Sequence, residues 1–442
     1  MMSLDDSSLK QKFFHYVIPS ILAQWVYALY TMVDGMFVAR GVNEIALTAV
    51  NLSNPLVQTM FALSLMFAVG ASTIVAICMG EGRMERAHQV FTQNVVTQLV
   101  VAAGLSIGVM ANLDKVAGFL GARDPETLGY VREYLAYIVP FSAAFLLSYT
   151  FEILMKTDGF PKRAVVIVTV GALENVVLDW LFVIVLHRGV AGAAFATSLS
   201  QCTVILLYLW HFLGKQGQLR FRRFRFQPAV LGRQIRNGLS SGLTELSAGV
   251  VVFVFNQVIL RYLSREALVS YTIVSYINSI VVLSATGIAQ GSQPLISYCY
   301  GQRNPEACRR LLRYGVVSAG IFCTAALVLC SAGAGVIVSA YVGADLPELR
   351  EYSAHVLRIF LLSFLLVGYN IVISGYLTSV ERAGSATLIS LGRGVVFLLG
   401  SLVLLIHLLG GEGVWWAPLL SESVCLCLTV FLFVRYQRKG AD

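Results

Sequence analysis

The chain has 442 residues, of which 57% are hydrophobic and 13% are charged, and its formal net charge at pH 7 is +8. Because soluble domains carry about 25% charged residues, this composition excludes a water-soluble multi-domain protein and predicts a surface that mostly faces lipid. We attribute the net positive charge to Lys and Arg in cytoplasmic loops, so we expect no nucleic-acid partner. The eight cysteines show neither metal-site spacing nor a disulfide framework.

Twelve apolar runs follow one another along the chain, separated by short charged or Gly- and Pro-containing breaks. Since a helix needs ~20 apolar residues to cross the ~30 Å hydrocarbon core of a bilayer, each run is long enough to span it. We therefore predict an all-α integral membrane protein with twelve transmembrane helices, of which the longer ones tilt, kink or project. The runs cover residues 13–39, 46–79, 90–112, 132–155, 164–186, 190–213, 238–261, 268–299, 314–342, 350–378, 384–408 and 413–435.

The loop charges predict the orientation of the chain in the membrane. Lys and Arg are concentrated in alternate loops, which include Lys156 and Lys162, and this bias places those loops and both termini in the cytoplasm. The first run lacks a signal-peptide cleavage site, so we expect it to stay as a helix of an inner-membrane protein. The central loop, residues 214–236, carries seven Lys and Arg and no acid. Its charges either bind anionic lipid headgroups or only determine the orientation of the chain in the membrane.

The two halves of the sequence resemble each other. Cys78-Met79-Gly80-Glu81 ends the second run and Cys299-Tyr300-Gly301-Gln302 ends the eighth, at an offset of about half the chain. Each half has six runs, so both halves enter the membrane in the same orientation. We predict two pseudo-symmetric six-helix bundles, an N-lobe over residues 1–213 and a C-lobe over 237–442, joined by the basic linker 214–236.

Acidic residues inside the apolar runs are the main functional candidates, because a charge at mid-bilayer costs at least ~2.5–3.5 kcal/mol. Asp34 lies in the first run with Tyr30 one turn before it, and Pro19 of the same run permits a kink. Alternatively, Asp34 is solvated at the outer interface. Glu245 opens the seventh run and is either a substrate or cation group of the second half or a structural residue.

The fifth run combines an acid with an amide. Asn175 and Asp179 are four residues apart and share one helix face, whereas Glu174 points elsewhere. Together with the hydroxyl of Thr197 in the small-residue stretch of the sixth run, they predict a site for a proton or a hard cation. Alternatively, Asn175 and Asp179 only hold helices together.

Several motifs together resemble the multidrug and toxin extrusion (MATE) family, in particular its bacterial branch with the staphylococcal multidrug exporters. The resemblance covers essentially the whole chain and includes Arg393. Its motifs are Val-Asp-Gly-Met-Phe-Val in the first run, Glu-Asn-Val-Val-Leu-Asp in the fifth, Gly-Val-Ala-Gly-Ala-Ala-Phe-Ala-Thr in the sixth, Leu-Thr-Glu-Leu in the seventh and Gly413-Val414-Trp415.

This resemblance implies a two-lobe antiporter that exports lipophilic, often cationic drugs in exchange for H⁺ or Na⁺. The family's N-lobe cation site corresponds to Asp34, Asn175, Asp179 and Thr197, with Na⁺ possible at the first three, its hinge to Pro19 and its C-lobe acid to Glu245. One departure is that the tenth run has Tyr369 and Asn370 but no central acid. This departure favours coupling through the N-lobe.

The expected partners are small-molecule drugs or organic cations and membrane lipids, and we expect a monomer that is not an enzyme and needs no cofactor. The main alternative is a lipid or lipid-linked oligosaccharide flippase of the same superfamily, but the intramembrane candidates here are mainly acidic. A transporter of another fold and a membrane enzyme are weaker alternatives. The sequence contains no phosphate-binding loop and no nucleophile elbow.

Overall fold

A computed structural model describes residues 6–42 and 44–439, and all regular structure in these ranges is helical. The first half begins with three long helices and continues with shorter ones. A 3₁₀ turn at Val139–Phe141 joins α5 to α6, and α7 continues directly into a π-helix at Trp180–Val185. The helices are α1 Asp6–Gly41, α2 Glu44–Gly80, α3 Met84–Ala111, α4 Leu113–Phe119, α5 Pro125–Ile138, α6 Ser142–Thr157, α7 Pro161–Asp179 and α8 Gly189–Leu213.

The second half repeats this order of long and short helices. A π-helix at Gly392–Val396 again interrupts the span that corresponds to α7, here between α15 and α16. The helices are α9 Pro228–Tyr262, α10 Arg265–Gly301, α11 Pro305–Ala332, α12 Ala334–Ser339, α13 Pro347–Leu361, α14 Phe364–Ser379, α15 Ala383–Leu391, α16 Phe397–Leu409 and α17 Gly413–Lys439.

The described residues contain eleven helical segments that are long and apolar enough to cross a membrane. The last of them, Ala383–Arg438, has 56 residues and would be ~84 Å long as one straight helix, so it crosses more than once. The chain turns within it at Gly410, whose φ is +64°, between α16 and α17. The described part of the chain therefore makes twelve membrane crossings, which confirms the predicted number.

The turns between helices repeat between the halves more clearly than the sequence does. Positive φ angles occur at Gly82 and Arg303, which are 221 residues apart, and at Gly159 and Glu381, which are 222 apart. A residue in this left-handed conformation commonly ends a helix. Equivalent helices of the two halves therefore end with the same backbone geometry, even where glycine is replaced.

Large apolar side chains line the outward faces of the helices. On α8, Leu206, Trp210 and Leu213 are each more than 60% exposed and recur at helical spacing. On α7, Leu173 and Val177 form a similar stripe. A soluble protein would not expose such stripes, whereas lipid solvates them.

Hydrogen bonds between polar side chains join α2, α3 and α6. The hydroxyl oxygens of Ser72 on α2 and Thr157 on α6 are 2.8 Å apart. Gln98 and Thr150, both fully buried, bond reciprocally at 2.7 and 3.0 Å. Because a helix satisfies its own backbone in lipid, such side-chain bonds fix how neighbouring helices pack.

The chain divides into two compact units, one formed by residues 1–21, 243–296 and 304–442 and the other by 22–242 and 297–303. Two of the division points follow a proline inside a helix by two residues, Pro19 in α1 and Pro294 in α10. These divisions do not test the predicted lobes 1–213 and 237–442, which stay a prediction.

We expect Thr150→Val to lower the free energy of unfolding by about 1 kcal/mol, because the substitution leaves the buried amide of Gln98 without its partner. The matched control is Thr272→Val, where the exposed hydroxyl bonds only a carbonyl of its own helix. Unfolding of both variants in mixed micelles would measure the difference. Equal stabilities would show that the bond between α3 and α6 contributes nothing.

Candidate functional site

The inner face of α7 carries the polar residues of the candidate site. Gly171, Asn175 and Asp179 are buried at intervals of four residues, and Leu173 and Val177 are exposed on the outer face. A Cβ atom at Gly171 would lie 2.2 Å from Cγ2 of Val204 on α8, so only glycine permits this close approach of the two helices. The packing of α7 against α8 thereby turns Asn175 and Asp179 into the interior.

The structure brings together the two acids that the sequence predicted as a pair. The side chains of Asp34 on α1 and Asp179 on α7 lie close enough to each other to interact electrostatically. Asp179 is completely buried, and neither of its carboxylate oxygens has a hydrogen-bond partner; Oδ1 of Asp34 is also buried without one. Two ionised carboxylates in contact repel each other strongly at low dielectric, so this arrangement requires a proton or another cation.

Asn175 and Thr197 complete the predicted set. The Thr197 hydroxyl donates to the Ala193 carbonyl at 3.1 Å, so its oxygen accepts the Asn175 amide, whose Nδ2 lies 3.4 Å away. This bond orients the amide and leaves Oδ1 of Asn175 buried without a partner. With this amide oxygen, Oδ1 of Asp34 and both carboxylate oxygens of Asp179, the site contains four buried oxygens that accept no hydrogen bond from any described residue. Oxygens of this type are the ligands that hard cations prefer.

Two tyrosines lie next to the carboxyl pair. Tyr30, one turn before Asp34 on α1, and Tyr134 on α5 are both close enough to interact electrostatically with Asp34 and Asp179. The sequence identified Tyr30 from its spacing, but Tyr134 was missed. A single tyrosine in an apolar run carries no signal that separates it from a lipid-facing residue.

A cavity in the unit formed mainly by residues 22–242 adjoins this site. Its empty volume is about 590 Å³, part of which is open to the surroundings. Asn175 and Tyr30 belong both to its wall and to the carboxyl site. Most of the wall is aromatic or polar, contributed by Gln24, Tyr27, Phe61, Ser148, Tyr149, Glu152, Ser200, Gln201 and Tyr208.

The acid in the cavity wall is already neutralised within the protein. Nζ of Lys156 lies 2.6 Å from Oε1 of Glu152, one turn away on α6, and the lysine side chain is 1% exposed. The sequence analysis assigned Lys156 to a loop, which is wrong, because α6 extends to Thr157 and buries Lys156. Its predicted cytoplasmic side stays a prediction. The paired lysine leaves the Asp34–Asp179 pair as the unbalanced negative charge near the cavity.

The other predicted residues lie in different environments. Glu174 accepts a hydrogen bond of 2.9 Å from the hydroxyl of Thr203 on α8, so it makes a separate contact, as expected. Pro19 is buried within α1, where it removes one backbone hydrogen bond. Glu245 is half-buried on α9. The roles of Pro19 and Glu245 stay predictions.

The second half contains a buried acid that the sequence analysis missed. Glu422 on α17 accepts hydrogen bonds of 2.7 Å from Nε of Arg393 and from Nδ2 of Asn370. Asn370, which lies in the run without a central acid, also donates to the Glu422 backbone carbonyl at 3.0 Å. Residues 222 positions before Asn370 and Arg393 are Ser148 and Gly171, which line the cavity of the first half. The second half therefore has a charge-balanced cluster, the Arg393–Glu422–Asn370 cluster, on helices equivalent to those of the cavity.

Comparisons with known proteins extend over nearly the whole chain. The family model MatE matches residues 19–181 and 242–401. The multidrug export protein MepA of Staphylococcus haemolyticus is 25% identical over 431 residues, which cover 97% of this chain and 94% of the relative. MepA of Staphylococcus aureus strain MRSA252 is 22% identical over 439 residues, with the same coverage of both chains.

Solved structures show that the fold is shared. The outward-facing conformation of a multidrug resistance MATE family transporter of the MOP superfamily matches with a TM-score of 0.90 at 22% identity, covering 98% of this chain and 96% of that one. A crystal structure of MATE in the bent conformation matches with a TM-score of 0.88 at 21% identity, covering 98% of this chain and 97% of that one.

A double-mutant cycle tests the Arg393–Glu422–Asn370 cluster. We expect Arg393→Met and Glu422→Gln to lower the free energy of unfolding by about 3 kcal/mol each, because each leaves one buried charge unpaired. The double variant removes both charges, so its loss in free energy of unfolding should be much smaller than the sum of the losses in the two single variants. Unfolding in mixed micelles measures the cycle, and additive losses would show that the two charges are not coupled.

Proposed function

The chain belongs to the MatE family, and from this membership we propose that it exports lipophilic, often cationic drugs or toxins in exchange for H⁺ or Na⁺. Members of this family are transporters and not enzymes, and the relative MepA is named a multidrug export protein. The single observation that supports ion coupling is the carboxyl pair of Asp34 and Asp179, in which three of the four oxygens are buried without a hydrogen-bond partner among the described residues.

The carboxyl pair acts as a charge that small cations switch off. With both groups ionised, the pair attracts a cationic substrate into the low-dielectric interior. When a proton or a Na⁺ ion enters from outside, it neutralises the pair, and the attraction for the substrate is lost. Each elementary charge that moves inward down the membrane potential supplies ~2.3 kcal/mol per 100 mV. The residues that hold the ion in this proposal are Asp34, Asn175 and Asp179, with Thr197 orienting the amide.

The cavity next to the pair is the proposed substrate site. The cavity wall provides the ring faces of Tyr27, Phe61 and Tyr149, which favour flat cations. The Tyr27 ring packs edge-on against Phe61 and Tyr149, with ring centroids 5.8 and 6.4 Å apart. Because Asn175 belongs to both sites, a change of the bound ion alters the cavity wall directly. Substrate and ion then influence each other's binding, as antiport requires.

Pro19 is the proposed hinge of this exchange. A proline within a helix removes a backbone hydrogen bond, and α1 carries both this proline and Asp34 fifteen residues later. The division point between the two compact units falls just after Pro19. Bending at Pro19 would therefore move the Asp34 segment of α1 relative to the segment that precedes the proline.

Ion coupling is proposed for the first half alone. Glu422 of the second half is neutralised by Arg393 at 2.7 Å, so it presents no free charge to a coupling ion. Glu245 is the remaining acid of that half that we consider as a substrate or cation group. The alternative function, a lipid or lipid-linked oligosaccharide flippase, fits less well with a cavity next to an unbalanced pair of acids.

Asp34→Asn and Asp179→Asn should each reduce drug export to the level of cells without the protein, because a single remaining carboxyl cannot provide the switched pair. The matched control is Glu174→Gln, which changes an acid on α7 that bonds Thr203 instead and should keep most of the activity. Efflux of a fluorescent organic cation, with membrane levels measured for each variant, tests this expectation. Normal export by both Asn variants would remove the pair from the mechanism.

Reconstitution in liposomes separates the coupling ions. We expect efflux of the fluorescent cation when a pH gradient or a Na⁺ gradient is imposed alone, and we expect Asp179→Asn to abolish whichever response occurs. A wild-type protein that responds to neither gradient, but moves labelled lipid between leaflets, would instead support the flippase.

A further inference from the structure

The segment that joins α8 to α9 is unusually basic. Residues 214–227, which we call the basic ribbon, form no regular helix or strand. They contain no acid and five cationic residues, Lys215, Arg220, Arg222, Arg223 and Arg225. Cationic loops are expected on the cytoplasmic side of any membrane protein, so the charge alone indicates only topology.

The first part of the basic ribbon is fixed to the end of α6. Oδ1 of Asp158, a buried residue, accepts hydrogen bonds from the backbone N–H groups of Gln218 and Leu219 at 2.7 and 2.8 Å. Its Oδ2 lies 3.0 Å from Nε2 of His211 at the end of α8. Leu219 is completely buried. One carboxylate thus fixes the point where the ribbon leaves α8.

Gly217 is required for this attachment. A Cβ atom at this position would lie 1.6 Å from Oδ2 of Asp158 and 2.9 Å from Nε2 of His211. No side chain fits at such distances, so any substitution must displace either the ribbon or the Asp158 carboxylate. No sequence pattern distinguishes this glycine from the others in the chain.

The second part of the basic ribbon is fixed to the first three turns of α3. The backbone N–H of Arg222 donates to the hydroxyl of Thr92 at 3.0 Å. Gln93 bonds the backbone of Gln227 twice, at 2.9 and 3.2 Å. Between these points, the ring of Phe221 packs on Phe91 with 4.8 Å between centroids. The backbone is therefore held at both ends and in the middle.

The charged side chains remain exposed while the backbone is fixed. Arg222, Arg223 and Arg225 are exposed, and none forms an ion pair with the residues that the structure describes. Phe226 beside them is 57% exposed. Membrane orientation requires positive charge in this loop but does not require a fixed conformation. The hydrogen bonds that hold the backbone of the basic ribbon therefore need another explanation.

We propose that the basic ribbon is a binding site for the headgroups of anionic phospholipids. The ribbon connects the ends of two membrane-spanning helices and lies against the start of a third, so it is held near the headgroup layer on the predicted cytoplasmic side. Guanidinium groups bind phosphate oxygens in bidentate fashion, and a neighbouring aromatic ring favours the interface. A fixed backbone preorganises the arginines and lowers the entropy lost on binding. This proposal does not depend on the transport mechanism.

The test is the binding of fluorescent phosphatidylglycerol and phosphatidylcholine to the full-length protein in mild detergent. We expect the wild type to prefer phosphatidylglycerol, and we expect this preference to weaken at high salt. R223Q/R225Q should bind phosphatidylglycerol about 25-fold more weakly, since each basic residue at the surface contributes about fivefold. Binding of phosphatidylcholine should not change.

The matched control is R309Q/R313Q, which removes two exposed arginines from α11 and should change the affinity less than twofold. Equal losses in the two double variants would overturn the proposal, because net charge alone would then explain binding. Equal affinity of the wild type for both lipids would overturn it as well.

Gly217→Ala tests the fixed conformation separately, since it keeps every charge. We expect it to weaken phosphatidylglycerol binding severalfold, and Thr92→Val, which removes the acceptor of the Arg222 N–H, should act in the same direction. Size-exclusion profiles identify a variant that does not fold. Wild-type affinity in whichever of these variants folds would refute a role for the attached backbone.

Discussion

The close approach of two carboxyl groups, with three of their four oxygens buried, is the constraint on which the functional interpretation depends. Asp34 and Asp179 face each other, and three of their four oxygens are buried without a hydrogen-bond partner among the described residues. A folded protein rarely leaves such groups unsatisfied, because a buried and unpaired charge costs several kcal/mol in practice. In the proposed mechanism, a bound cation offsets this cost, and the occupancy of the site is thereby coupled to the conformations of α1 and α7.

Three other buried carboxylates among the described residues are balanced internally, and this contrast makes the pair distinctive. Glu152 is held by Lys156, Glu422 by Arg393, and Asp158 by two backbone N–H groups and His211. The same residue type therefore serves two purposes in one membrane domain. Where the partner is part of the protein, the acid fixes helices or a loop. In the proposed mechanism, the acids that lack such a partner exchange a mobile ion.

Periodicity in the sequence was sufficient to predict the twelve crossings and the shared face of Asn175 and Asp179, because both depend on local spacing. It could not predict contacts between residues far apart in the chain. Glu422 was missed because its partners Arg393 and Asn370 lie 29 and 52 residues away. Lys156 was misplaced because the end of an apolar run does not show how far the helix continues. The attachment of the basic ribbon depends on Asp158, about 60 residues before it, and had no sequence signal.

The two halves share a backbone plan but differ in the charges they carry. Each half has a π-helix in the equivalent span, directly after Asp179 in one and around Arg393 in the other. A π-helix inserts a residue and turns the following side chains to a new direction, and it often occurs at functional sites. In the first half it follows an acid with no internal partner, and in the second it presents the arginine that neutralises Glu422. The two halves thus share one fold but differ in whether the interior acids next to the π-helix have a charged partner within the protein.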